Sequence, residues 1–191
     1  LKASGQRKML GSFNHGTMAN AMPQAIGASF AYPGRQVIAL CGDGGISMLL
    51  GDLATIAQYK LPVKIIVFNN RSLGMVKLEM EVAGLPDNET DMQNPDFALV
   101  AQAKGQAMGI KSYTVSRPDD VLPVLVEALN SPEAALLNVM TDPNALAMPP
   151  QIEWNQMTGF AQAMYKMLLT GRTQEIIDTI NSNYKHLKEI L

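Results

Sequence analysis

The sequence predicts an α/β fold: a three-layer sandwich with an open parallel sheet flanked by helices, plus a C-terminal helical tail. Short apolar runs rich in β-branched residues alternate with longer stretches of helical periodicity, and Gly, Pro or Asn stands at most of the changes between them. Strands separated by helices of about ten residues need crossover connections, so the sheet is parallel and covered on its faces. The α/β domain is expected over residues 1–148 and the tail over 149–191.

Taken in order, 16–32 is rich in Ala, Gly and Met, and Ala21, Ala25 and Ala28 would let a helix press against a neighbour. Residues 36–41 form an apolar run that stops at Gly42, a buried strand. A helix is expected over 47–59 with Ser47 as its N-cap. Pro62 introduces a second strand over 63–68, which ends at Asn69-Asn70. Residues 73–80 read as a helix, and 84–94, with Gly, Pro and the acidic Asp87, Glu89 and Asp91, as a solvated loop. A helix over 96–104, a strand over 111–115, a helix over 118–129 opened by Pro118, and a strand over 135–140 follow. Beyond Pro149-Pro150, two helices over 151–170 and 173–191 are divided by Thr170-Gly171-Arg172.

The chain has 191 residues, 47% apolar and 17% charged, which is enough apolar matter for a core and excludes disorder. Fifteen basic against seventeen acidic residues give a net charge of −2, which argues against a nucleic-acid binder. One cysteine, Cys41, cannot form an internal disulfide, and buried in a strand it should be inert; a reducing cytoplasmic setting is expected. No apolar run is long enough to span a bilayer. The opening Leu1-Lys2-Ala3-Ser4 has neither an initiator Met nor a signal peptide and reads as the middle of a longer polypeptide.

The chemistry gathers at Gly42-Asp43-Gly44-Gly45, at the C-terminal end of one strand and the start of a helix, where open α/β sheets bind ligands. Glycines let a backbone approach phosphate closely. A Walker loop is excluded because no Gly-Lys-Ser/Thr ending exists, and the dinucleotide fingerprint fails at Ser47. An aspartate inside such a turn would repel phosphate unless a divalent cation lay between them, so Asp43 suggests Mg²⁺. Asn69-Asn70 ends the next strand and would supply a neutral, hard oxygen on the same sheet edge if the two strands are adjacent; Asn also simply ends strands.

Gly42-Asp43-Gly44, 24 further residues, then Asn69-Asn70 resembles the motif of thiamine diphosphate enzymes. The resemblance implies that the Asp43 and Asn70 side chains and the Ser72 carbonyl bind Mg²⁺, and that Gly42, Gly44, Gly45 and Ser47 face the diphosphate. The stretch from Gly11 to Pro23 resembles the aminopyrimidine-binding loop of the pyruvate oxidase branch, with Gly16 and Met18 holding the pyrimidine and Met18 the bulky residue that keeps the cofactor bent. Without the resemblance, Met18 would read as core packing. Leu61-Pro62-Val63-Lys64, Leu73-Gly74-Met75-Val76, Met148-Pro149-Pro150-Gln151-Ile152 and Gly159-Phe160 are similar to the pyruvate oxidases that pass electrons to quinone. Met75 stands where relatives often carry an aromatic residue. Glu79, on the same helix side four residues on, is a candidate for the active site or an ordinary exposed glutamate. His15, beside the cofactor loop, either orients substrate or is structural.

The resemblance thus implies thiamine diphosphate and Mg²⁺ here, with FAD bound in the full-length parent, mostly outside this chain. The reaction would be oxidation of pyruvate to acetate or acetyl phosphate, with quinone or oxygen as electron acceptor, in a homo-oligomer that is a tetramer in the family. An acetolactate synthase-type carboligase is the alternative, and an assembly or membrane-docking module is the reading from another class. Because the activating glutamate and the FAD site would lie on other domains, the chain alone is expected to be inactive. Ile176, Ile177, Ile180, Tyr184, Leu187, Ile190 and Leu191 fall near one helical face, so the tail either docks on protein or lies on the inner surface of the cell membrane. With Arg172, Lys185 and Lys188 as its modest basic content, purely electrostatic attachment would be weak.

Overall fold

The computed structural model describes residues 6–103, 110–145 and 154–190, and of residues 103 and 185–190 the backbone alone. Two compact units share the chain: Leu1–Asn69 with Asn94–Thr141, and Asn70–Gln93 with Asp142–Leu191. The expected border at 148/149 and the Met148–Ile152 motif lie outside the described residues.

The first unit is built on four parallel strands, β1 (Ile38–Gly42), β2 (Lys64–Asn69), β3 (Lys111–Val115) and β4 (Ala135–Met140), in the order β1-β2-β4-β3. All four lie within two residues of their predicted bounds, and the α/β class is as expected. One core gathers Ala39, Cys41, Ile65, Val67 and Leu136 from the strands with Met22, Ile46, Ile56 and Phe97 from helices. These helices are α1 (Ala21–Ala31), α2 (Asp43–Met48), α3 (Leu53–Gln58) and α5 (Phe97–Ala103). On the other face Ala135 and Leu137 pack with Ala128, Val124 and Leu125 of α6 (Pro118–Asn130). That third layer lies over β3 and β4, whereas Ile38, Leu40 and Phe68 on β1 and β2 stay exposed.

The single helix expected over 47–59 is corrected. α2 begins at Asp43, after Gly42 in extended conformation, and stops at Leu49, whose φ of −129° and ψ of 36° leave the helical region. A 3₁₀ turn (Leu50–Asp52) then leads into α3. Ser47 is therefore inside α2 rather than its N-cap, and its hydroxyl donates to the Asp43 carbonyl four residues back at 2.8 Å, a bond an interior serine makes readily. Asp96 caps α5: its Oδ1 accepts from the Ala98 and Leu99 amides at 2.9 and 3.1 Å.

The second unit holds α4 (Gly74–Val82), α7 (Trp154–Leu169) and α8 (Thr173–Ile190). Gly159 of α7 crosses α4 so closely that a Cβ there would lie 1.9 Å from the Val82 carbonyl oxygen. The 84–94 loop is not merely solvated. Asp87 is buried against the Arg172 guanidinium at 2.6 Å, and Asp91 bridges to Ser72. On α8, Thr179 and Asn183 are buried, whereas Ile177, Ile180 and Tyr184 are exposed. The predicted apolar stripe is thus not the docked face over these residues; the side chains of Lys185, Leu187, Lys188, Ile190 and Leu191 lie outside the description.

Candidate functional site

In the first unit, parallel pairing sets Gly42 opposite Phe68, so Asp43 and Asn69 follow at matching strand ends. The expected adjacency of these two strands is therefore observed. Asp43 is buried as the first residue of α2, with Gly44 and Gly45 buried behind it. Its carboxylate is held at both oxygens: Oδ1 accepts from the Gly44 amide at 3.0 Å and Oδ2 from the Asn94 side-chain amide at 2.6 Å. Gly42 is open-sided, since a Cβ built on it would meet nothing within 4 Å. A cofactor could approach the backbone there.

The Gly11–Pro23 segment reaches the same turn. Gly16 has φ +60°, in the left-handed region that favours glycine, and its amide donates to the Ser12 carbonyl at 2.9 Å. Thr17 caps a 3₁₀ turn over Met18–Asn20, with its Oγ1 accepting from the Ala19 amide at 3.4 Å. The Asn20 side chain donates to the Thr17 carbonyl at 2.6 Å. Met18 projects with 48% of its surface exposed, so it is not the core-packing residue its type alone would suggest. Its carbonyl oxygen abuts Gly45, where a Cβ would come within 2.5 Å. Gly45 is therefore glycine for a reason internal to the protein: it lets the 18–20 turn and α2 touch backbone to backbone. Gly16, Met18, Gly42, Asp43, Gly44, Gly45 and Ser47 all belong to this unit, and His15 is exposed within it.

Asn70 and Ser72 open the second unit. The Asn70 Oδ1 accepts from the Ser72 amide at 3.0 Å, and Arg71 between them has φ +56°, an uncommon conformation for a non-glycine residue. This tight turn orients the Asn70 amide and buries Ser72, whose hydroxyl has no hydrogen-bond partner among the described residues. Glu79 and Met75 are exposed on α4.

Two features were not read from the sequence. The first is Asn94, the last residue of the expected 84–94 loop; the run Asn94-Pro95-Asp96-Phe97, a breaker followed by a helix cap, marks the place but not the role. The second is an ion cluster inside the second unit. Lys77 Nζ lies 2.6 Å from Glu175 Oε1 and 3.8 Å from Asp87, and Arg172 contacts Glu175 at 2.7 Å. Beside it Glu81 is fully buried, with neither carboxylate oxygen hydrogen-bonded among the described residues; burial pushes its pKa up to about 7, against the opposing pull of the Lys77 charge. Cys41 matches the expected inert thiol, burial pushing it up to about 11.

Among known families, the model of the C-terminal thiamine pyrophosphate (TPP) binding domain of thiamine pyrophosphate enzymes matches residues 1–139. A Bacillus subtilis protein described as thiamine pyrophosphate-containing, YdaP, is 41% identical over 84% of the chain and 27% of its own length. An acetolactate synthase large subunit from Porphyra purpurea is 35% identical over 77% of the chain and 25% of its own. A protein of Methanocaldococcus jannaschii described as an acetolactate synthase large subunit is 40% identical over 75% of the chain and 24% of its own length. The chain thus spans about a quarter of these relatives. Among solved structures, a thiamine diphosphate-dependent 4-hydroxybenzoylformate decarboxylase of Rhodococcus jostii superposes with a TM-score of 0.58 at 31% identity, covering 64% of this chain and 23% of that one. The acetolactate synthase names outweigh the pyruvate oxidase likeness drawn from the sequence.

Proposed function

Since the chain belongs to the C-terminal TPP-binding domain family of thiamine pyrophosphate enzymes, we propose that it holds thiamine diphosphate through Mg²⁺ within a longer enzyme that acts on pyruvate and joins two pyruvates as acetolactate synthase does. The similarity to acetolactate synthases over three quarters of the chain carries this reading. Within it, the donors assigned to Mg²⁺ are the Asp43 carboxylate, the Asn70 amide oxygen and the Ser72 carbonyl. All are hard oxygens of the kind Mg²⁺ selects, and one charge among three leaves the cation positive enough to hold a diphosphate. The residues fit the group: the Asp43 carboxylate is fixed at both oxygens, and the open side of Gly42 leaves room beside the backbone. Bound thiamine diphosphate supplies the carbon nucleophile and electron sink that decarboxylation of a 2-keto acid requires. Gly44, Gly45 and Ser47 are assigned to the diphosphate, and Gly16 and Met18 to the aminopyrimidine. Glu79 is retained as a candidate that reaches substrate.

A second reading keeps the oxidative fate, in which FAD on the rest of the enzyme passes electrons from pyruvate to quinone or oxygen. One observation favours it. Ile177, Ile180 and Tyr184 leave an apolar stripe of α8 exposed, suited to the surface of a membrane or of another subunit. No helix among the described residues is long and apolar enough to cross a membrane; in this reading the contact is a superficial one, on the cytoplasmic side of the membrane.

Product identification separates the readings. The intact enzyme is given pyruvate, Mg²⁺ and thiamine diphosphate, with and without FAD, a quinone analogue and phosphate, and products are followed by NMR. Acetolactate formed without an acceptor supports the carboligase. Acetate or acetyl phosphate that depends on quinone or oxygen overturns it in favour of the oxidase. Vesicle flotation with and without residues 173–191 tests the tail, and equal flotation removes it from the argument.

A further inference from the structure

Asp43 does not stand alone at the sheet edge. The Asn94 side-chain nitrogen donates twice, to Asp43 Oδ2 at 2.6 Å and to Asn69 Oδ1 at 2.9 Å. Asn69 in turn donates from Nδ2 to Asn138 Oδ1 at 3.0 Å, and Asn138 donates to Thr114 Oγ1 at 3.5 Å. The Thr114 hydroxyl donates to Asp96 Oδ1 at 3.1 Å. The ladder crosses β2, β4 and β3 from one carboxylate to another, all inside the first unit.

Its directions are determined. Asp43 and Asp96 terminate the ladder as acceptors, from Asn94 and Thr114. With the Asn69 amide nitrogen turned to Asn138, the Asn69 oxygen faces Asn94 as an acceptor. Position 94 must then present two protons from one atom, which a side-chain amide does and a carboxylate or a hydroxyl does not. The geometry points to Asn94 as a positioning residue for the cation site: it fixes the rotation of the Asp43 carboxylate, so that the oxygens present their remaining lone pairs in one orientation. Asn69 and Asn138 brace Asn94 from the sheet side. The inference rests on the reading of Asp43 as a Mg²⁺ ligand and extends it to a residue outside the motif.

Partners that orient a metal ligand typically contribute 10–100-fold to metal affinity. The test uses the intact enzyme with saturating thiamine diphosphate, titrated with Mg²⁺ and, in parallel, with Mn²⁺ followed by electron paramagnetic resonance. Thermal midpoints are measured with and without the metal. Asn94→Leu, of similar shape, is expected to bind metal about 10–100-fold more weakly and to lose most of the metal-induced rise in midpoint. A purely structural role would lower both midpoints together and leave that rise intact. Asn94→Gln keeps both protons on a stem one methylene longer and is expected to fall between wild type and Asn94→Leu; it serves as the test if Asn94→Leu does not fold. Unchanged metal affinity in Asn94→Leu, or in Asn94→Gln where that variant stands in, overturns the inference. Asp43→Ala is the reference. If it binds metal as wild type does, the cation site itself is misassigned, a failure distinct from that of Asn94.

Discussion

Gly45→Ala tests the contact that ties the Gly11–Pro23 segment to the Gly42–Gly45 turn. The new Cβ would sit 2.5 Å from the Met18 carbonyl oxygen and 3.3 Å from its carbon. These are backbone atoms, so no side-chain rotation relieves the overlap, and reaching even 3.0 Å demands a shift of about half an ångström between α2 and the 18–20 turn. Overpacking of this kind costs about 1–3 kcal/mol, offset by up to about 1 kcal/mol from the better helix propensity of alanine. A net loss of about 1–2 kcal/mol is expected. A shift of half an ångström also reaches the limit that a binding constellation tolerates, so affinity for thiamine diphosphate at fixed Mg²⁺ should fall about tenfold. Denaturant midpoints and a fluorescence titration of the cofactor measure the two effects. Gly42→Ala, whose Cβ meets nothing within 4 Å among the described residues, should keep its stability and lose only cofactor affinity. If Gly45→Ala matches wild type in both assays, the close approach does not determine that glycine, and its tie between the two segments falls with it.

Three further outcomes are expected. A carboxyl whose folded pKa lies above its unfolded one binds more protons when folded, so the contribution of Glu81 is fully present below its ordinary 4.5 and is lost as pH rises through about 7. Glu81→Gln should remove that loss and gain about 2 kcal/mol on wild type between pH 5 and 8, at ~1.4 kcal/mol per unit; parallel pH profiles of the denaturant midpoint for the two proteins would contradict it. Gly159→Ala, with its Cβ 1.9 Å from the Val82 carbonyl oxygen, should cost about 3 kcal/mol or more and loosen α7 from α4, read as faster proteolysis or amide exchange in both helices. Cys41, buried and with its thiol pushed up to about 11, should resist alkylation in the native protein and react only on unfolding; stoichiometric native labelling within minutes would refute its burial.

The strands were legible because fully buried strands write themselves as short apolar runs. Residues 111–115 and 135–140 are strands with the predicted bounds. Less visible was the break inside 47–59, since Leu49 and Leu50 continue the apolar periodicity while the backbone at Leu49 leaves the helix. Among the described residues, the expectation that helices cover both faces held for β3 and β4 only, because an apolar run does not say whether its outward residues, here Ile38 and Leu40, meet a helix of the same unit. At the site, Asp43 and the glycines were legible as a local motif in which a charge interrupts a phosphate-like turn. Asn94 was not, because its partners Asp43 and Asn69 lie 51 and 25 residues away and only the sheet brings them together. On α8 the burial of Thr179 and Asn183 in place of Ile177 and Ile180 inverts what hydrophobicity alone predicts. Asn183 accounts for part of that inversion, since it donates to the Asn144 and Thr179 carbonyls at 2.7 Å each.

Buried polar residues mark both ends of the sheet, and their hydrogen bonds lead in different directions. At the N-terminal end of β2, Lys64 is as buried as Asn69 is at the C-terminal end. Lys64 Nζ donates to the carbonyls of Ser131 and Glu133, and burial holds its pKa below the ordinary value against the pull of the Glu133 charge. Those acceptors are main-chain oxygens in the connection from α6 to β4, so the ammonium ties a loop to the sheet and its bonds stay inside the fold. At the other end the ladder runs through side chains and terminates on Asp43, next to the open side of Gly42. A polar network that only holds a fold gains little from ending on a buried carboxylate, whose charge is costly unless it is paired. One that presents an oxygen to a cation gains by doing so, because each hydrogen bond behind Asp43 restricts the orientations it can adopt. Burial alone does not separate these two ends. The direction in which their hydrogen bonds lead does.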